Sequence, residues 1–212
     1  MKINDIILEL KNPEDLTTVR KELSKQVTSV DTRDNSWMRV LTDVLPKHGF
    51  NHVSRGRYAS VFSNDKYPYV LKVFMKDSAY IRWIKFCMQN QGNKYVPKIK
   101  GKVVKITPMV YAIRLEKLDP TASSRPPSAA NAAFYVEYSN WQKDPSYVTE
   151  DTDLQSVFEL FQQNRNLLDM HGENFMNRGS QVVIIDPFYN WFNKDKHMDY
   201  SIDPDKVDPS VF

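Results

Sequence analysis

The sequence predicts an α+β fold in two lobes: a five-stranded antiparallel sheet with one inserted helix, then a reduced, mainly helical lobe. Three observations predict it. Between Phe50 and Met75 the runs FNHVS, YASVFS and YPYVLKVFM are β-rich and separated by the turn-forming SRGR and SNDK, which reads as a strand meander. DSAYIRWIKFCMQNQ then switches to helical spacing, and PKIKGKVVKIT and PMVYAIRLEKL return to strand texture, giving the order β-β-β-α-β-β. Finally DPTASSRPPSAAN, Asp119 to Asn131, holds three of the twelve prolines and four Ser/Thr, and so marks a linker at a lobe boundary.

In chain order, Asn12 to Val27 reads as a helix with Asn12 as N-cap, Pro13 at the first helical position and Glu14 and Asp15 in the first turn. A second helix is expected over about 35–45, where Trp37, Val40, Leu41, Val44 and Leu45 recur at helical spacing before Pro46 and Gly49. After the meander Asp77 caps the inserted helix, whose apolar face is Ile81, Ile84 and Met88 and which Gly92 and Pro97 end. Beyond the linker, helices are expected over about 129–141 and 151–165, the second capped by Asp151 and striped by Leu154, Val157, Phe158 and Phe161. NFM and VVII flank NRGS and read as a short hairpin, leaving a polar, Asp-Pro-rich end. The expected organisation is a helical segment over 1–47, a first lobe over 48–118 and a second over 119–212, together one catalytic unit without internal repeats.

Composition narrows the function. A chain of 212 residues, 41% hydrophobic and 26% charged, buries one core or two small lobes. Its 29 Lys+Arg against 26 Asp+Glu leave +3, and no basic block appears, which argues against direct nucleic-acid binding. The single cysteine, Cys87, sits among apolar helix residues, reads as a packing residue and rules out a disulfide framework. The start carries acidic residues and only a short apolar run, and no stretch of about 18 apolar residues occurs, so neither export nor a membrane span is expected.

The residues that point to chemistry are Asp169-x-x-x-x-Asn174 and Asp186, which ends an apolar strand twelve residues after Asn174. Phosphoryl transfer needs a carboxylate to orient the attacking hydroxyl and take its proton, and oxygen ligands for Mg²⁺ on the ATP phosphates. Asp169 fits the base, Asn174 and Asp186 the metal ligands. Two residues five apart mean little alone; the helix before them and the hairpin after them give them weight, and that layout matches the catalytic and metal loops of protein kinases. The plainer reading makes Asp169 a loop carboxylate bonded to backbone and Asp186 a strand-ending Asp before Pro187.

Lys72 in VLKVF shares a strand face with Val70 and Phe74, where a cation needs an anionic partner such as a phosphate; an edge-strand lysine reaching solvent is the alternative. Upstream, Gly56, Arg57, Tyr58, Ala59 and Ser60 in SRGRYASVF lie between two strands and are candidates for covering ATP phosphates with backbone N–H groups. One glycine stands where a G-x-G-x-x-G loop has three, and the same stretch also reads as an ordinary hairpin turn.

The residues resemble the early serine/threonine protein kinase family of T-seven-like podophages. The resemblance is carried by HGFNHVSRGRYASVFS, VLKVFMKD, FCMQNQG, VPKI, LDMHGENFM, VVIIDP and SIDP. It implies a bilobal protein-kinase-like α+β fold, use of ATP and Mg²⁺, autophosphorylation, and protein substrates among the host's transcription, RNA-processing or translation proteins, in the host cell cytoplasm. It makes Lys72 the phosphate anchor, Asp169 the catalytic aspartate and Asn174 and Asp186 the magnesium ligands. His171 stands where a lysine near the γ-phosphate is usual, and Glu116 and Leu118 match, by position, the hinge whose backbone binds adenine.

The sequence also departs from the wider kinase pattern. Leu168 replaces the usual His-Arg before the catalytic Asp, and Pro187-Phe188 the usual Phe-Gly after the metal Asp, so regulation by an arginine-held activation-loop phosphate is not expected. The inserted helix has no glutamate to pair with Lys72, and Asp77 is the nearest acid. The short remainder after Asp186 leaves no room for the substrate-binding helices of large kinases, and any polymerase shut-off housed in a basic extension is expected to be absent. Two rival readings follow: a pseudokinase-like protein that binds a host protein without transferring phosphate, and a small-molecule phosphotransferase of the aminoglycoside type. Autophosphorylation is expected at Thr121, Ser123, Ser124 or Ser128 in the linker.

Overall fold

The structure is a computed structural model that describes residues 13–27, 36–120 and 129–189. Asn12, the linker Ser/Thr residues and SIDP lie outside them. The chain forms two compact units, the first from 1–76 with 100–115 and the second from 77–99 with 116–212.

The first unit holds α1 (Pro13–Val27), α2 (Ser36–Val44), and the strands β1 (Asn51–Arg55), β2 (Ala59–Ser63), β3 (Tyr69–Met75), β4 (Val104–Lys105) and most of β5 (Val110–Glu116). Their order in the five-stranded antiparallel sheet is β1-β2-β3-β5-β4. Val19, Leu23 and Val27 recur every four residues and bury one stripe of α1, while Trp37, Met38, Leu41 and Val44 do the same in α2. Helix α2 stops a residue earlier than its spacing suggests, because Leu45–His48 tighten into a 3-10 turn with Pro46 inside it.

Strand β4 is only two residues long where 97–107 was expected to pair throughout. Lys100 N does bond Arg114 O at 2.9 Å, but Gly101 then takes φ +98 and turns the chain out of the ladder until Val104 pairs with Ala112.

The second unit holds α3 (Ser78–Gln89), β6 (Asp119–Pro120), α4 (Ala129–Lys143), α5 (Thr152–Gln163), β7 (Phe175–Arg178) and β8 (Gln181–Ile184), with the last three strands ordered β6-β7-β8. As its sequence implies, α3 is capped by Asp77, whose Oδ1 accepts from Ala79 N at 2.8 Å. Cys87 is fully buried in this helix, burial raises its thiol pKa well above the usual value, and its part is packing.

Helix α3 and the loop after it were expected with the sheet, yet 77–99 belongs to the second unit. Side-chain bonds are the reason. Tyr95 OH and Lys94 Nζ each reach Asp151 Oδ2 at 2.7 Å, Asn93 donates to Asp153 O at 2.7 Å, and Arg82 donates to Asn164 Oδ1 at 3.0 Å. Asp151 also caps α5 through Leu154 N.

An aromatic chain forms this unit's core: Phe86, Trp83, Phe188, Phe161, Trp141, Tyr138, Phe134 and Phe175 follow one another with ring centroids 5.4–6.2 Å apart. Phe175 directly follows Asn174, and Phe188 lies two residues after Asp186. Buried rings thus anchor both ends of the segment that carries the predicted ligands. Among the described residues no helix is long and apolar enough to cross a membrane.

Candidate active site

The hairpin sets the geometry. Its ladder pairs Phe175 with Ile184 and Arg178 with Gln181, so Asn177 and Arg178 belong to the strand and Gly179 and Ser180 form a two-residue turn in which Gly179 takes φ +61. At the open end Ile185 N donates to Asn174 O at 2.9 Å, which places Asp186 one residue beyond the partner of Asn174. The returning chain continues antiparallel to the segment after α5. Leu168 bridges Phe188, Asp169 N donates to Pro187 O at 2.8 Å, and Tyr189 N to Leu167 O at 2.7 Å.

A side chain closes the ring. Asn174 Nδ2 donates to the carbonyl oxygen of Asp169, and Asn174 N to His171 O at 2.9 Å. Asp169, Asn174 and Asp186 are therefore brought together by a circuit of hydrogen bonds through Pro187 and Ile185. Asn174 is buried, 8% exposed, whereas the Asp169 side chain is 38% exposed. His171 Nε2 lies 3.7 Å from Asp169 Oδ2 with its ring half exposed.

Glu116 is half-buried at the end of β5. Its carboxylate takes a two-pronged bond from Arg178, Nε to Oε2 at 2.9 Å and Nη2 to Oε1, and also accepts from Lys98 N at 2.7 Å. Its own N–H donates to Lys98 O at 3.0 Å. Leu118 is half-buried and leads directly into β6, which pairs with β7. Arg178 escapes sequence reasoning: it reads as a turn residue of NRGS, and no local pattern signals a partner 62 positions away.

In the first unit Lys72 occupies β3, flanked by β2 and β5, and is 7% exposed, so it is not an edge-strand lysine. Its cross-strand partner is Val61, and Ala59, Ser63, Val70 and Phe74 share its face. Ser60 pairs with Val73, so its side chain lies on the opposite face, with its hydroxyl buried and without a hydrogen-bond partner among the described residues. Only the backbone of Ser60 is available on the Lys72 side. In the turn before β2, Gly56 N donates to Ala59 O at 2.8 Å, Tyr58 O accepts from Met75 N at 2.9 Å, and the Arg57 guanidinium stacks 5.3 Å from the Tyr58 ring centre. A Cβ at Gly56 would meet only Ala59 O, at 3.8 Å.

The donor set suits magnesium. Asn174 and Asp186 carry hard oxygen donors, the backbone of Asn174 is bonded to the residue before Asp186, and Mg²⁺ takes one or two protein ligands together with substrate phosphates. Among the described residues no three His, Cys, Asp or Glu side chains gather into a cage of the kind zinc prefers.

A family model described as bacteriophage T7 protein kinase 0.7 matches residues 15–211, a span that includes every site residue above. The chain belongs to the bacteriophage T7 protein kinase family. The sheet with one helix between its third and fourth strands, followed by helices and the hairpin, is the α+β arrangement read from the sequence. No curated protein matches this family member.

Among solved structures, the kinase PK-1 of Cydia pomonella granulovirus is similar at 13% identity and a TM-score of 0.39, over 72% of this chain and 57% of that one. A protein described as a putative fructosamine-3-kinase, from Haemophilus somnus 129PT, is similar at 12% identity and a TM-score of 0.32, over 66% of this chain and 65% of that one. The T7-kinase-family chain thus spans less than two thirds of either neighbour's length.

Proposed function

We propose that this protein is an ATP-dependent serine/threonine protein kinase that phosphorylates host bacterial proteins, and itself, in the host cell cytoplasm. The observation that carries this reading is the hydrogen-bonded circuit that holds Asp169, Asn174 and Asp186 together at the foot of the hairpin. Asp169, exposed and fixed by its own backbone N–H, orients the substrate Oγ–H and takes its proton as oxygen attacks the γ-phosphorus. The bond from that phosphorus to the β,γ-bridging oxygen breaks, and ADP leaves. His171 donates a hydrogen bond to the transferring group, and Lys72 holds the phosphates by charge. Asn174 and Asp186 would hold Mg²⁺, which when bound neutralises phosphate charge. Backbone N–H groups of 56–60 cover the phosphates, and the segment at Glu116 and Leu118 receives adenine.

One observation favours a second reading, a binding protein that transfers nothing: α3 has no glutamate, and Asp77, the nearest acid, caps the helix. The test is incubation of the purified chain with labelled ATP, Mg²⁺ and a bacterial extract beside Asp169→Ala. Acid-stable label on proteins that disappears in the variant supports the kinase; ATP binding without any label, or label that persists in the variant, overturns it.

A further inference from the structure

We infer that Arg178 and Glu116 form a positioning pair that sets the adenine-side segment in register with the metal-ligand hairpin. This rests on the kinase reading above. Arg178 ends β7, and Asn174 immediately precedes that strand, so one short strand joins the guanidinium to a predicted metal ligand. From this place Arg178 grips Glu116 with two N–H groups and donates to Lys94 O at 3.1 Å and Val96 O at 2.9 Å. Glu116 in turn accepts from Lys98 N. The pair therefore ties the loop after α3, the end of β5 and the hairpin at one point.

The chain makes a second attachment three residues on, where Asp119 and Pro120 of β6 pair with Asn177 and Met176 of β7. Residues 116–120 are thus held at both ends to the strand that follows Asn174. Both charged side chains are largely sequestered, 28% exposed for Arg178 and 12% for Glu116. A buried ion pair is a poor source of stability compared with an apolar pair of the same size, but a planar two-pronged fork fixes orientation, which lysine's point charge does not. Orientation is what a bound nucleotide needs, since its base and its phosphates must both be placed by parts of one chain.

The test compares wild type, Arg178→Lys, Glu116→Gln and the double variant, with Arg82→Lys as a control that weakens the bond to Asn164 elsewhere in the same unit. Dissociation constants of a fluorescent ATP analogue, KM for ATP, kcat for protein labelling and the melting temperature are measured for each. Each single variant is expected to weaken nucleotide binding and raise KM about 10-fold while kcat stays within about 3-fold, the double to be no worse than the singles, and the control to move neither. A fall in melting temperature with unchanged KM and dissociation constant overturns the proposal and leaves a purely structural pair, as does a kcat loss at constant KM. Should wild type bind no nucleotide, or label proteins no better than Asp169→Ala, the kinase reading itself fails, and that is seen before any Arg178 variant is compared.

Discussion

The side-chain amide of Asn174 donates to the backbone carbonyl of Asp169, so a predicted metal ligand also holds the predicted base in place. This dual role gives Asn174→Asp an outcome that ligand chemistry alone would not. Aspartate is a good Mg²⁺ ligand, but it would set a carboxylate oxygen against the Asp169 carbonyl and remove the donor, at a cost of about 1–3 kcal/mol for the part-buried acceptor left unpaired. Asn174→Asp is expected to lose at least ~10²-fold in kcat, as much as Asn174→Ala, and to melt at lower temperature. Steady-state labelling and thermal melts check it; near-normal activity would restrict Asn174 to metal binding.

How far this site is legible in the sequence depends on how local its bonds are. The hairpin is readable because the short apolar runs NFM and VVII flank a turn that needs Gly179, and the spacing of Asp169 to Asn174 falls within one loop. The placement of α3 with the second unit is not, since it rests on Tyr95 and Asn93 meeting residues 56 and 60 positions away. Strand β4 was overestimated for a related reason: the β-propensity of KVVKIT is real, but one glycine conformation at Gly101 decides where pairing can begin. The pleat also puts the Ser60 side chain on the face opposite Lys72, which leaves its backbone as the part named for covering phosphates.

Lys72→Met tests the phosphate anchor. Lys72 is 7% exposed on a strand flanked on both sides, and methionine keeps a flexible side chain of similar length while removing the charge. Activity should fall at least ~10²-fold with loss of the phosphate anchor. Steady-state labelling beside wild type checks it, and near-normal labelling would remove Lys72 from the mechanism.

His171→Ala tests a weaker contribution. The ring is half exposed, so its loss should leave the melting temperature unchanged and lower kcat on the order of 10-fold, less than the ~10²–10³ of a donor enclosed with its substrate. His171→Lys, which restores a donor and a charge, should recover most of that rate in the same labelling assay. Equal rates for all three chains would remove His171 from the mechanism.

The cluster of Asp151, Tyr95 and Lys94 makes stability depend on pH at both extremes. Burial raises the Asp151 pKa, but bonds from Lys94, Tyr95 and Leu154 N outweigh it and hold the carboxyl below its ordinary 3.8. A depressed carboxylate contributes stability above its unfolded pKa, and that contribution is lost as pH falls below 3.8 through the folded value. Tyr95 moves the other way: burial first, then the bond and the charge of Asp151, raise its pKa above 10. Because the folded state favours the neutral phenol, this contribution is complete below 10 and is lost as pH rises past it towards the folded value. Urea unfolding across pH should therefore give a plateau with an acid and an alkaline limb. Asp151→Asn should flatten the acid limb by removing the carboxylate and shallow the alkaline one by removing the charge that faces Tyr95. An alkaline limb unchanged in that variant would mean that burial and the Asp153 charge, without the Asp151 carboxylate, set the tyrosine.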